Sequence, residues 1–460
     1  MCKFAKKEYV MKKATKIEDM INTFDIRPLD TPSNIDEFYV DVSEARGEDT
    51  AAKLELILNQ SNRNYNKFLF GGHYGCGKST ELNRLAKKLD GEYFIIMYSI
   101  GEYADYVGVS FVDIVFSILK NISEAASKSN IEIESNILED IRNYWESERV
   151  FSSTQEDDLN TSSEMSAGGS FLNILSAKLK LYLQSSSTVK DEVVRRVNPS
   201  ITSLVGMVNN FLDDFQKKMV DKKLLLIIDD LDKVSLQKAN EIFIDNSKNI
   251  SSLHITAIYT FPIYLYYSAD FRCIQGDFEA PFLLSMIKVK LKNGQDYEKG
   301  IKSLENIIYK RAEKQLFERD VVSFVIKKSG GCIRTVFRLL REAALKAEMV
   351  YMAQERITGN EIDDSRKRIS MSDVAYAYRS YKSDMERVIN KNCFELLSDI
   401  YRTKQPVIDG DNTMVMDLLK TQAVIEYNGE RWCDLNPAVE DYLIDINVIT
   451  NKDKGNDLSL

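Results

Sequence analysis

Residues 72–79 run Gly-His-Tyr-Gly-Cys-Gly-Lys-Ser. Closely spaced glycines followed by a lysine and a hydroxyl constrain this chain more than any other stretch. Ahead of them, Phe68-Leu69-Phe70 has the composition of a short buried strand. Behind them, Thr80 to Leu89 is amphipathic, with Leu82, Leu85, Ala86 and Leu89 at helical spacing. A strand that turns through glycines into a helix leaves backbone N–H groups facing into the turn. The helix start adds partial positive charge. The pattern G-x-x-x-x-G-K-S is that of a phosphate-binding loop. It predicts that Gly72, His73, Tyr74, Gly75, Cys76, Gly77, Lys78, Ser79 and Thr80 wrap the phosphates of ATP, with Lys78 at the β- and γ-phosphates and Ser79 on Mg²⁺.

Such a loop needs an acidic partner for the metal. Leu224-Leu225-Leu226-Ile227-Ile228-Asp229-Asp230 offers one: five branched apolar residues, then two carboxylates. A continuous apolar run of this length fits a central parallel strand buried on both faces, and ligands bind at the carboxyl ends of such strands. Asp229 is the expected Mg²⁺ partner. Asp230 is expected to polarise the attacking water. An aspartate there sits one methylene closer to the backbone than a glutamate, which predicts slow hydrolysis.

Composition narrows the rest. Of 460 residues, 44% are hydrophobic and 28% charged, so the chain belongs with ordinary globular proteins rather than low-complexity or fibrous ones. No stretch approaches about 18 uninterrupted apolar residues, so no transmembrane helix is expected. The basic start, Met1 to Lys7, is not followed by an apolar signal core, and the protein is expected to be cytoplasmic. Cysteines at 2, 76, 273, 332, 393 and 433 form no C-x-x-C pair, which argues against a zinc site and a disulfide framework. His73 and His254 are too few and too far apart in sequence for a histidine metal site. The net charge of −9 lacks the basic footprint of a nonspecific nucleic-acid binder.

Along the chain, residues 1–35 read as an N-terminal arm and 36–295 as an α/β core: a parallel sheet flanked by helices, with a helical insertion at about 100–220. Short strands are expected at Phe38–Val42, Tyr93–Tyr98, Leu253–Thr260 and Met286–Lys290, and an amphipathic helix over 48–58. Within the insertion, helices are expected near 108–128, 131–148, 172–184 and 200–219, and a mobile polar loop over 151–170. Residues 296–370 read as a helical lid with helices near 297–315, 319–328 and 332–348, Ser329-Gly330-Gly331 as the turn between the last two, and Arg334 on the first turn of the third. Residues 371–448 give helices near 371–389, 393–403 and 412–420, then two short strands joined by Asn428-Gly429, then a helix from Pro437. That is the outline of a winged-helix module. A flexible tail is expected over 449–460.

With these residues in hand, the chain resembles AAA+ ATPases of the origin-recognition and STAND-like branches. The resemblance rests on 72–79, on 224–230, on Thr260 in the sensor-1 position and on Gly331-Cys332-Ile333-Arg334 as a sensor-2 motif. It implies an ATPase core with a helical lid, in which Thr260 contacts the γ-phosphate or water and Arg334 senses the γ-phosphate from the lid. It also implies a base-contacting segment ahead of the phosphate-loop strand, near 48–58. A neighbouring subunit would contribute an arginine finger, with Arg272 and Arg311 as the candidates. The implied activity is a nucleotide-dependent switch that assembles as a homo-oligomer on ATP binding and licenses an effector or regulator protein, with bacterial defence as one setting. The alternative is a DNA-handling ATPase, an origin-type loader or transposition regulator, reading DNA through the winged helix. From 391 to 445 there are five Lys/Arg and eleven Asp/Glu, and Thr413 to Leu419 has no basic residue, which disfavours DNA.

Overall fold

In the computed structural model, residues 10–61, 63–148, 168–219, 221–406, 412–427 and 432–450 are described. Most of the polar stretch 151–170, the Asn428-Gly429 turn and nearly all of the expected tail lie outside them.

Five parallel strands form the core sheet: β1 (Lys67–Gly72), β2 (Tyr93–Ser99), β3 (Lys223–Asp229), β4 (Thr256–Pro262) and β5 (Phe282–Leu284), in the order β2-β3-β4-β1-β5. All six residues of β1 are buried, as are six of the seven in β3. Burial on both faces is why these strands read as unbroken apolar runs. In β1–β4 pairing, Phe70 lies opposite Thr260; in β3–β4 pairing, Ile228 lies opposite Tyr259. Strand β4 therefore separates the strand that leads into the glycine loop from the strand that ends in the carboxylates, and the carboxyl ends of both open on one edge. This is the P-loop α/β fold with the strand order of AAA+ proteins.

Two strand expectations are corrected. Phe38 ends a helix, Pro32–Phe38, started by proline at its first turn and by the Thr31 hydroxyl, which accepts from Asn34 N–H. The fifth strand is Phe282–Leu284, paired with Phe70–Gly72, not Met286–Lys290. Met286, Ile287 and Val289 are buried outside the sheet, so their apolar pattern reports burial and not strand pairing.

Between β2 and β3 lies the expected helical insertion: Phe111–Lys128, Ser135–Ser147, Gly168–Leu183, Ser187–Val197 and Ile201–Lys218. The fourth of these was not anticipated, although Val189, Val193 and Val197 stand at helical spacing. Phe116 packs against Trp145 at 4.9 Å and Tyr182 at 5.1 Å, in a core continuous with Ile96, Leu226 and Ile228 of the sheet.

After the sheet come the helices Glu298–Arg311, Val321–Lys328 and Ile333–Thr358. The last runs ten residues past its expected end of 348 because Gly359, in the left-handed region at φ 68°, is what stops it. Then follow Met371–Arg387, Phe394–Thr403, Thr413–Lys420, the antiparallel pair β6 (Val424–Tyr427) and β7 (Trp432–Leu435), and Pro437–Asp445. The order helix, helix, hairpin, helix is the one read from the sequence. The hairpin faces inward: Ile425, Tyr427 and Trp432 share a buried cluster with Phe68, Phe70 and Cys76 of the nucleotide-loop region.

Candidate functional site

The loop leaves β1 at Gly72, whose φ of 147° and position against the Leu284 carbonyl leave no room for a Cβ. Gly75 and Gly77 take φ of 80° and 108°, the left-handed region that side chains rarely adopt. Gly77 caps the helix Lys78–Leu89, which carries Lys78, Ser79 and Thr80 in its first turn. The Lys78 Nζ donates to the carbonyls of Gly72 (2.8 Å) and His73 (2.9 Å), and pairs with Asp232 at 2.9 Å. Burial pushes this ammonium down, but Asp232, Cys76 and Asp229 together outweigh it and hold the group above its ordinary value. The Thr80 hydroxyl accepts the Leu29 N–H at 3.2 Å, tying the loop helix to the N-terminal arm.

Asp229 ends β3, and its carboxylate accepts from the Asp230 N–H at 2.8 Å and bonds the Ser79 hydroxyl. Burial, then the neighbouring Asp230 and Asp232, raise Asp229 to about 6. Asp230 sits at φ 69°, a conformation aspartate tolerates better than most residues. Its oxygens are taken by the Ser99 hydroxyl (2.6 Å), the Tyr106 hydroxyl (3.3 Å) and the Lys233 ammonium (2.6 Å). Carboxylate oxygens of Asp229, Asp230 and Asp232 lie within 4.8 Å of one another. With the Ser79 hydroxyl they make an all-oxygen donor set of the kind that suits Mg²⁺.

Thr260 is fully buried. Its hydroxyl accepts the Leu231 N–H at 2.9 Å and donates to the Ile228 carbonyl at 3.5 Å, so it braces the turn that carries the carboxylates. It does not line the cleft. Arg334 does. Its guanidinium lies 3.5 Å from the centre of the Tyr74 ring, and its N–H donates to the Gly75 carbonyl at 3.4 Å. The Arg334 Nε is buried with no hydrogen-bond partner among the described residues.

Lys78, Ser79, Asp229, Asp230 and Arg334 thus border one cleft of about 1100 Å³. Its far end is closed by the arm (Asp25–Thr31), by Phe38–Val42 and by Ile307 and Phe337. The helix Thr50–Gln60, where a base-contacting segment was expected near 48–58, does not line it, whereas residues between Asp25 and Val42 do. Arg311 also lines the cleft, buried between the Phe38 and Phe337 rings, whereas Arg272 is exposed.

Asp232 and Arg46 escaped the sequence reading. Asp232 stands in the run Ile-Asp-Asp-Leu-Asp-Lys and could have been singled out there. Arg46 had no signal: it reaches the site only by folding, donating to the Cys76 carbonyl (2.6 Å) and the Ser285 carbonyl (2.6 Å). His73 and Tyr74 are joined to the C-terminal hairpin. The His73 Nε2 accepts the Glu426 N–H at 2.8 Å, and Gln422 Nε2 donates to the Tyr74 carbonyl at 2.5 Å. Burial holds the His73 ring neutral, with its pKa lowered to about 3, and Lys78 adds to this.

No family model and no curated protein matches the chain. Among solved structures it is similar to the Walker-type ATPase PABY2304 of Pyrococcus abyssi, at 14% identity and TM-score 0.42, covering 92% of this chain and 99% of that one. It is similar to Cdc6p of Pyrobaculum aerophilum at 12% and 0.39, covering 93% and 98%. The RuvB Holliday junction branch migration motor of Thermotoga maritima follows at 11% and 0.36, covering 92% and 99%. Scores this low say nothing of what the present chain binds or acts on; its fold assignment stands on its own strand order and loop. No described helix is long and apolar enough to cross a membrane.

Proposed function

We propose that this protein binds ATP with Mg²⁺ in the cleft, hydrolyses it slowly, and uses the bound state as a switch that licenses a partner protein. One observation carries the reading. Three consecutive loop residues, His73, Tyr74 and Gly75, each hold a contact to another part of the chain: to Glu426 of the hairpin, to Gln422 and the Arg334 guanidinium, and to the Arg334 N–H. A loop tied to both lid and C-terminal module cannot adjust to a terminal phosphate without biasing both. ATP need only favour one arrangement over the other to shift their populations.

In this reading the loop N–H groups and Lys78 take the β- and γ-phosphates, and Arg334, with its spare Nε, answers the terminal phosphate from the lid. Ser79 and Asp229 hold Mg²⁺, which supplies charge neutralisation between the phosphates. Asp230 orients the water. Its existing ties to Ser99, Tyr106 and Lys233 fix the carboxylate but occupy it, in keeping with slow turnover. Homo-oligomerisation on ATP binding and a setting in bacterial defence belong to the same proposal.

The DNA-handling alternative has less to stand on. Of the five basic residues between 391 and 445, Lys404 is 1% exposed and paired with Asp434. Phosphate contacts need accessible cations.

Asp230→Asn should keep nucleotide affinity within about threefold while lowering single-turnover hydrolysis by 10²-fold or more, the range expected for loss of a general base. Wild-type hydrolysis by this variant would overturn the assignment. Size-exclusion mass with and without ATP, and turnover with and without duplex DNA, separate switch from DNA handler: assembly without DNA supports the first, DNA-stimulated turnover the second.

A further inference from the structure

The helices Ile333–Thr358 and Met371–Arg387 pack against one another far along the chain from the loop, and a cleft of about 420 Å³ opens between their ends. One stripe of each helix faces it: Lys346, Val350 and Gln354 on the first, Ser372, Tyr376 and Arg379 on the second. Both sets follow helical spacing, so the cleft is a groove between two helix faces. Its walls are mixed. Its accessible apolar surface is supplied by Val350, 36% exposed, and Tyr376, 48% exposed, one on each helix.

The charge is one-sided. Lys346, Arg368 and Arg379 border the groove, and none makes an ion pair among the described residues. Lys346 lies over the Tyr376 ring at 5.0 Å. Of the nearby carboxylates, Glu348, Glu355 and Asp364 converge on the buried Lys367, Asp384 pairs with Arg338, and Asp373, which also lines the groove, accepts from Ser370 in a helix cap. In a chain of net charge −9, three cations without an ion pair among the described residues around a groove of mixed lining are a local reversal.

We propose that this groove docks an acidic amphipathic helix of a partner protein, its apolar stripe on Val350 and Tyr376 and its carboxylates on Lys346, Arg368 and Arg379. A partner helix would add to the bundle that these two helices already form with Ile17–Thr23, Val321–Lys328 and Pro437–Asp445. Nucleic acid suits the groove less well, since phosphates gain nothing from Val350 and are repelled by Asp373 in the same lining. The inference names the partner chemistry for the switch proposed above, but binding measured without nucleotide tests the groove alone.

The probe is a fluorescein-labelled peptide of about 16 residues, roughly 24 Å of helix, with leucines at i, i+3, i+4 and i+7 and glutamates elsewhere. Fluorescence anisotropy on the full chain should show binding that weakens as salt rises. Lys346→Glu combined with Arg379→Glu, and separately Val350→Asp, should each weaken it tenfold or more. A peptide of the same composition with the leucines spread around the helix should bind at least tenfold worse. Because all three positions are on the surface, an unchanged melting temperature and nucleotide affinity confirm that the variants are folded. The proposal is overturned by any of three results: no binding to the wild type, equal binding of the two peptides, or displacement of the peptide by a short DNA duplex.

Discussion

A single methyl group tests the contact between loop and lid. At Gly75 an added Cβ would lie 2.5 Å from the Arg334 Cβ, in a backbone conformation (φ 80°) that already disfavours side chains. Gly75→Ala should therefore cost about 1–3 kcal/mol of local strain and push the lid off the loop. Calorimetry should show weakened ATP binding although no phosphate-contacting side chain is altered. Lys67, at the start of β1, is a second case. Its ammonium is buried, donates to the Leu253 carbonyl at 2.8 Å, and has no ion-pair partner among the described residues; burial lowers its pKa from 10.5 to about 7. Between about pH 7 and 10.5 the unfolded chain keeps this proton and the folded chain does not, so stability rises with pH in that window, with a slope approaching 1.4 kcal/mol per pH unit. Below pH 7 both states are protonated and the gain is absent. Lys67→Met should be more stable than wild type at pH 6 and should lose that component of the slope in melts taken from pH 6 to 10.

At the scale of elements, the hairpin β6–β7 is held to the nucleotide loop by polar contacts as well as packing. His73→Ala leaves the buried Glu426 N–H without its acceptor, which costs about 1–3 kcal/mol. Hydrogen exchange at that amide should speed up while the amides of β1 and β3 keep their protection. On the outer side of the same hairpin, Asp434 is buried between Lys404 (2.8 Å) and Lys290 (2.7 Å). Lys290 retains Glu440 at 3.3 Å if Asp434 is lost, but Lys404 has no second ion-pair partner among the described residues. Asp434→Asn should thus destabilise the C-terminal region by about 3–5 kcal/mol, the usual cost of an uncompensated buried charge. Limited proteolysis would report it as early cleavage C-terminal to the lid.

For the whole molecule, the cleft is bounded by the arm, the core and the lid, so a ligand that fills it should stabilise all three together. At a hundredfold excess over Kd, ATP with Mg²⁺ should add about 2.7 kcal/mol, or roughly 3–4 °C for arm, core and lid melting as one unit of about 370 residues. Lys78→Ala should abolish the shift, because it removes the ammonium that also joins Asp232 to the Gly72 and His73 carbonyls. Differential scanning fluorimetry with and without ATP checks it, and an equal shift in both proteins would sink the assignment of the cleft.

The sequence by itself determined the parts of this protein whose physics is local. Glycines at 72, 75 and 77 imply a turn that only glycine can make, five branched residues before Asp229 imply a doubly buried strand, and helical spacing marks most of the helices to within a few residues. Tertiary structure alone decided which distant residues meet. Arg46 reaches the loop from 30 positions away, Glu426 meets His73 across 353, and Thr260 turns inward to Leu231. Apolar periodicity says that Met286, Ile287 and Val289 are buried but not against what, which is why the fifth strand was misplaced. Short-range pattern fixes backbone conformation; contacts across long sequence separations depend on how whole faces pack, and no single segment carries that information.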